Sequence, residues 1–252
     1  MKIKFIGTGG MVPSITRGPS CYLFESGEVR GLLDIGHTSI KKLIDQNIAL
    51  DSIDFVSISH FHTDHAADLI PLAHSRFVID LLGGSQKKEL TVVGPPETES
   101  VLNKLFSVFW RENKIGGETY PINVVSENKF EKYGLKFETF PVLHKDLYEC
   151  QAIKVSDNSK TLAFAGDLGC ANSVYELVKN LKDVDVLIIE AGRPDETPSH
   201  FHISKTIELK EKANIKKVYL VHIRDAWMEQ YRELLGNTKD IFFTNDGMEI
   251  EI

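Results

Sequence analysis

The chain is poor in cysteine. Its 252 residues hold three, Cys21, Cys150 and Cys170, an odd and unpatterned set that argues against a disulfide framework. A reducing, cytoplasmic location is therefore expected. Cys170, three residues after Asp167, reads as a small buried thiol. The first residues, Met1 to Gly7, lack the apolar stretch and cleavage site of a secretory leader. No apolar run reaches the roughly 18 residues that a membrane helix requires, so no membrane role is expected. Low-complexity tracts and long polar linkers are missing, and the length fits one large α/β domain, the expected 1–252, about as well as two small ones, with ample residues for a sizeable core. An excess of positive charge is missing too. Lys and Arg number 29 against 36 Asp and Glu, a net −7, which gives no general attraction to nucleic acid or an anionic membrane. The glycine-rich turn Gly7-Thr8-Gly9-Gly10-Met11-Val12-Pro13 has neither the Gly-x-Gly-x-x-Gly spacing nor the Lys-Ser/Thr of a phosphate loop. It reads as a loop that must approach another backbone closely.

What the chain does have is histidine concentrated in one place. Of 9 histidines, His60, His62 and His65 fall with Asp64 in the single stretch His60-Phe61-His62-Thr63-Asp64-His65. The apolar run Asp54 to Ile58 before it reads as a buried strand. Imidazole and carboxylate together suit zinc and its divalent neighbours. In extended chain His60 and His62 point to the same side and can hold one ion together. Asp64 and His65 lie where the chain turns and can face a second. An ion of this kind takes about four ligands, one position being left for water or substrate. The stretch supplies two to each ion, so the others must come from later in the chain. His144, Asp167 and His222 are of suitable types, and a carboxylate such as Asp167 can bridge two ions. His37, His74 and His200 fit no such position and read as structural or surface groups.

The pattern of elements makes convergence plausible. Strands are expected over Lys2–Ile6, Cys21–Glu25, Val29–Asp34, Leu90–Val93, Leu135–Phe140, Cys150–Val155, Thr161–Ala165, Asp185–Glu190 and Lys217–Val221. Helical spacing follows Ser39, Ala66 (with a bend at Pro71), Val101, a capping box at Ser173–Glu176, and Ser204. Trp227 and Tyr231 lie in a last helix. Asp34, His60, His144, Asp167, Glu190 and His222 all stand at strand ends, where one sheet edge can gather them. Trp110 to Gly117 reads as the end of a core-facing helix and a loop, with a lid or a homodimer contact as the alternatives.

The histidine stretch, then His144, Gly166-Asp167 and Val221-His222, resembles the metallo-β-lactamase superfamily, in the family's order and over nearly the whole chain. The resemblance implies an α/β four-layer αββα sandwich, two mixed β-sheets flanked by helices. It implies two divalent ions, zinc before manganese or iron, with His60, His62 and His144 on the first, Asp64, His65 and His222 on the second, Asp167 bridging, and Asp34 supporting from behind. Phe5 to Gly10, Ile189-Glu190-Ala191 and His202-Ile203-Ser204 are similar to the ribonuclease Z branch of phosphodiesterases. That branch carries a long tRNA-gripping arm between the third His and the bridging Asp, whereas here only 23 positions separate His144 from Asp167. The expected activity is a phosphodiesterase on a small or cyclic phosphodiester through a metal-bridging hydroxide, with tRNA not the substrate. Asp64, Glu190 and His202 are the expected catalytic side chains, Glu190 and His202 as a pair with His202 donating a proton. Alternatives are a carboxylic ester, lactone or thioester hydrolase on the same centre, a ribonuclease Z-type endonuclease, and a non-catalytic metal-binding scaffold.

Overall fold

A computed structural model describes residues 1–83, 89–110, 121–145 and 148–252. Two seven-stranded sheets face each other. The first consists of β1 (Lys2–Gly7), β2 (Cys21–Ser26), β3 (Val29–Ile35), β4 (Phe55–Ser57), β5 (Leu90–Val93), β6 (Ile122–Val125) and β14 (Glu249–Glu251), with β14 beside β1. The second runs from β7 (Lys129–Lys132) through β8 (Leu135–His144), β9 (Tyr148–Ser156), β10 (Thr161–Phe164), β11 (Val186–Glu190) and β12 (Lys217–Val221) to β13 (Ile241–Phe243). Both are mixed: β1, β2 and β3 are antiparallel neighbours, whereas β3 to β6 are parallel, as are β10 to β13.

Side-chain alternation divides the apolar residues into three layers. Phe5, Tyr22, Phe24, Leu33 and Phe55 of the first sheet meet Phe137, Ile153, Phe164, Ile188 and Val221 of the second. Ile6, Leu23, Leu32, Val56 and Val92 point the other way, against Leu43, Leu72, Leu102 and Phe106 of α1 (Ser39–Asp45), α3 (Leu69–Leu81) and α4 (Thr98–Trp110). Ala163, Leu187, Ile189 and Leu220 pack on Leu177, Leu209 and Tyr231 of α5 (Val174–Leu181), α6 (Ile203–Lys212) and α7 (Met228–Leu235). This is the expected αββα sandwich. No helix among the described residues is long and apolar enough to cross a membrane.

Several local expectations change. The helix expected from Ala66 is two: α2 (Thr63–Ala66), a single turn, and α3, in whose first turn Pro71 sits. A proline is tolerated there because first-turn N–H groups have no partner within the helix. Ser173 precedes α5, but its side chain caps nothing, and Glu176 pairs with Lys179 instead of reaching back. β8 extends through Pro141 to His144. Pro141 fits because β7 pairs only with Leu135 to Glu138, leaving that side of β8 free of a ladder partner where the proline stands. Cys170 is exposed, not buried, in a turn beyond the sheet edge. The segments Gly84–Lys88 and Arg111–Gly117 lie outside the described residues.

Candidate metal centre

Two residues at strand ends have left-handed backbones, Asp34 (φ 56°), one before the end of β3, and His222 (φ 55°), the first after β12. Such angles are uncommon away from glycine and cost of order 1 kcal/mol or more each. At Asp34 the register between β2 and β3 shifts, with Cys21 opposite Ile35 and Tyr22 opposite Leu33, so Asp34 is the extra residue of a bulge. At His222 the positive φ breaks the alternation of β12, in which Leu220 points to the outer layer and Val221 between the sheets. The ring instead turns to the sheet edge, 3.3 Å from Asp64 and 3.4 Å from Asp167. Gly10 makes room for it: a Cβ there would lie 2.6 Å from the imidazole. The glycine-rich turn thus approaches a histidine ring at Gly10, while at Gly7 it meets backbone as expected, 1.9 Å from where a Cβ would touch the Pro19 carbonyl.

The histidine stretch leaves β4 in extended conformation and closes into α2, where the His65 and Ala66 N–H groups donate to the His62 carbonyl. That turn aims Asp64 and His65 inward, both buried. Asp34 receives the His65 Nδ1 proton at 2.6 Å and the Ser59 N–H at 2.7 Å, and the Ser59 hydroxyl at 2.8 Å. The Asp34 contact keeps a proton on His65 Nδ1 and turns Nε2 to the site, the atom that would ligate once its own proton is displaced. His144 comes from the end of β8. Asn172 holds the preceding residue in a closed pair of bonds, its Oδ1 accepting from Leu143 N and its Nδ2 donating to Leu143 O.

The result is a cluster of donor atoms within 4.8 Å of one another, in overlapping sets: His60, His62 and His144; Asp64, His65 and His222; His60, His65 and Asp167; and Asp167, Glu190, His200 and His222. Four buried polar atoms here, Asp64 Oδ1, His65 Nε2, His144 Nδ1 and Asp167 Oδ1, have no hydrogen-bond partner among the described residues. Orphaned buried donors and acceptors cost about 1–3 kcal/mol each, which divalent cations would recover. Protonation states divide the donors: at His65 and His222 burial is outweighed by the Asp167 charge, which raises both, so each would give up a proton to an arriving ion. Burial pushes His60 and His62 below the usual imidazole range and His144 down to about 4, which leaves them neutral and able to ligate. Burial would raise Asp64 and Asp167, yet His222 and His65 hold both carboxyls below their usual range, as ligating anions. The residues present fit a pair of divalent ions.

Beside the cluster, the structure revises one pairing. Glu190 bonds to His200, not His202: Glu190 Oε2 lies 2.6 Å from His200 Nδ1, and Oε1 accepts from Leu168 N and Phe201 N. His202 serves as the cap of α6. Its Nδ1 accepts from Ser204 N, and Nε2 reaches the Pro194 carbonyl. The extended segment before α6 puts residue 200, not 202, against the sheet edge. The His200 ring stands 5.4 Å from that of His144 and 5.5 Å from that of His222. Burial and the neighbouring Asp167 raise the Glu190 carboxyl. His200 is raised as well, burial being outweighed by the Glu190 hydrogen bond and charge. His200, Ser59 and Asn172 carry no motif by themselves. Only the His-x-His spacing at 200 and 202 hinted that either ring could face inward. His74 lies against Phe77 and His37 reaches the Met11 carbonyl, away from the cluster.

A family model described as a beta-lactamase superfamily domain matches residues 34–223. The probable metallo-hydrolase YhfI of Bacillus subtilis is 26% identical over 227 positions, covering 88% of this chain and 87% of that protein. Its crystal structure superposes with a TM-score of 0.82, covering 100% of this chain and 99% of that one, at 19% identity. The ribonuclease Z of Metallosphaera sedula is 28% identical, with 96% of this chain and 94% of the relative covered. A diphosphatase of the PhnP family shares the fold, with a TM-score of 0.78, 19% identity, and 100% and 97% coverage.

Proposed function

This chain belongs to the beta-lactamase superfamily and is a metal-dependent hydrolase, and from that premise we propose that it is a dinuclear phosphodiesterase acting on a small or cyclic phosphodiester. His60, His62 and His144 would hold one ion and Asp64, His65 and His222 the other, with Asp167 available to both. Zinc suits this nitrogen-rich set. When bound, the ions supply an activated water and neutralise charge on the phosphoryl oxygens. The chain does the rest. Asp34 keeps His65 Nε2 aimed inward. Asp64 would share the second ion with His222, whose Nε2 lies 3.3 Å from its carboxylate. Glu190 holds His200 by Nδ1, so that Nε2 is the atom that protonates the departing oxygen.

The observation that carries the hydrolase reading is this Glu190–His200 pair, placed beside seven convergent donors, and kinship with proteins named ribonuclease Z supports a phosphodiester as the bond. An alkoxide leaving group needs a proton, and the pair holds one. The small-substrate reading is supported by what the chain lacks. The ribonuclease Z alignment runs over 291 positions against 252 residues here, so at least 39 positions of alignment have no counterpart. Between His144 and Asp167 the described residues form β9, β10 and short connections. We place the enzyme in the cytoplasm on its unpaired thiols.

The metal-loaded protein is to be assayed on bis-p-nitrophenyl phosphate, alkyl p-nitrophenyl phosphates and a lactone panel. Turnover of phosphodiesters is expected; turnover of lactones alone contradicts the reading. His200→Ala should keep both ions and lose about 10²–10⁴-fold in rate, most on poor leaving groups. His202→Ala should leave the rate ratio between leaving groups unchanged and remove only a cap worth about 1 kcal/mol. Equal loss on good and poor leaving groups in His200→Ala contradicts the proton-donor role.

A further inference from the structure

β11 and β12 are parallel neighbours, with Glu190 opposite Val221. Just beyond their ends the chain places Arg193 three residues after Glu190 and Arg224 two residues after His222. Both guanidinium groups lie 4.9 Å from the Trp227 ring centre. Trp227 in turn meets Tyr231 edge-on, and the Tyr231 hydroxyl donates to the Gly192 carbonyl at 2.8 Å, next to Arg193. The two arginines are therefore held on one aromatic platform that is tied to the backbone leaving Glu190.

Their charges are largely unspent. Arg224 is exposed and makes no ion pair among the described residues. The adjoining Asp225 is engaged elsewhere, by Arg17 at 2.6 Å and by the Ser14 and Thr16 hydroxyls. Arg193 is 38% exposed and pairs only with Asp195, itself 63% exposed. Exposed pairs of that kind are worth about 0–1 kcal/mol and exchange readily for a better anion. In a chain of net charge −7, two guanidinium groups beside the strand ends that carry Glu190 and His222 form a local positive site. Guanidinium forks match phosphate oxygens.

We propose that Arg193, Arg224 and Trp227 form an anion subsite that binds a second phosphate of the substrate, beyond the diester that is cut. For the bond that is cut, this rests on the phosphodiesterase reading; binding of the second phosphate does not depend on it.

Two esters differing by one phosphate test the subsite: thymidine 5′-(p-nitrophenyl phosphate) and the same compound carrying a 3′-phosphate. On the metal-loaded full chain, the second should have a KM lower by about tenfold, the scale of one charge-assisted contact. The double variant Arg193→Gln/Arg224→Gln should abolish that preference while leaving kcat on bis-p-nitrophenyl phosphate unchanged. Arg193→Lys/Arg224→Lys, which keeps charge, should retain part of it and shows that loss is not misfolding. An equal KM for both esters in the parent protein, or a preference that survives the Gln variant, overturns the proposal. If neither ester is cut, the phosphodiesterase reading fails and binding decides the subsite. In a Trp110→Phe chain, where Trp227 is the remaining tryptophan, thymidine 3′,5′-bisphosphate should change the fluorescence saturably, and the Gln pair should remove that change. No saturable change, or one that the Gln pair leaves intact, overturns the subsite.

Discussion

His222 shows how single residues build this site. Its side chain reaches the cluster only because its own φ is positive and because residue 10 has no Cβ. Alanine at position 10 must displace the ring it would meet at 2.6 Å, since backbone on both sides is fixed: Thr8 O accepts from Ile223 N. Gly10→Ala should weaken the ion assigned to Asp64, His65 and His222 by about 10–100-fold, the usual cost of disturbing ligand support. Equilibrium dialysis should then find one tightly held ion per chain instead of two. Two tightly held ions would remove Gly10 from that role. Residue-level reading of the sequence went far for the donors themselves, because His-x-His-x-Asp-His is dense and its partners stand at strand ends. It failed at 200 against 202. Both rings lie in an irregular segment where no periodicity sets direction, and Ser204 made residue 202 look placed when it was only a cap.

At the scale of elements, β4 carries the site and is only three residues long. Its rigidity comes from Phe55, fully buried between the sheets, edge-on to Phe137 at 5.2 Å. Phe55→Ala should cost about 3–5 kcal/mol of unfolding free energy by denaturant titration. A loss under 1 kcal/mol would show that the histidine stretch is held by its polar contacts instead. β8 was legible from its alternation, and β11 and β12 from unbroken apolar runs. β6 and β7 were not: each has four residues, is partly exposed, and mixes polar with apolar side chains. Asn172 was equally hidden, because it substitutes for a ladder partner along β8, a task with no local pattern.

Taken whole, the molecule buries two of its thiols. Burial pushes Cys21 and Cys150 each up to about 12, whereas Cys170 is exposed. At pH 8 the buried pair stays protonated and inert, so a thiol-reactive disulfide should titrate one group in the native chain and three after unfolding. Three fast groups in the native state would contradict the packing of β2 and β9. The two sheets bring donors from residue 60 to residue 222 to one edge, and that long-range convergence was readable because the donors share a position, the strand end, regardless of loop length. The central claim is that two ions at this edge cut a phosphodiester. Its most direct test is a titration of metal-free protein with zinc, following bis-p-nitrophenyl phosphate hydrolysis against ions bound per chain. The rate should rise to a plateau at two ions. A plateau at one ion, or no hydrolysis with two ions bound, would contradict it.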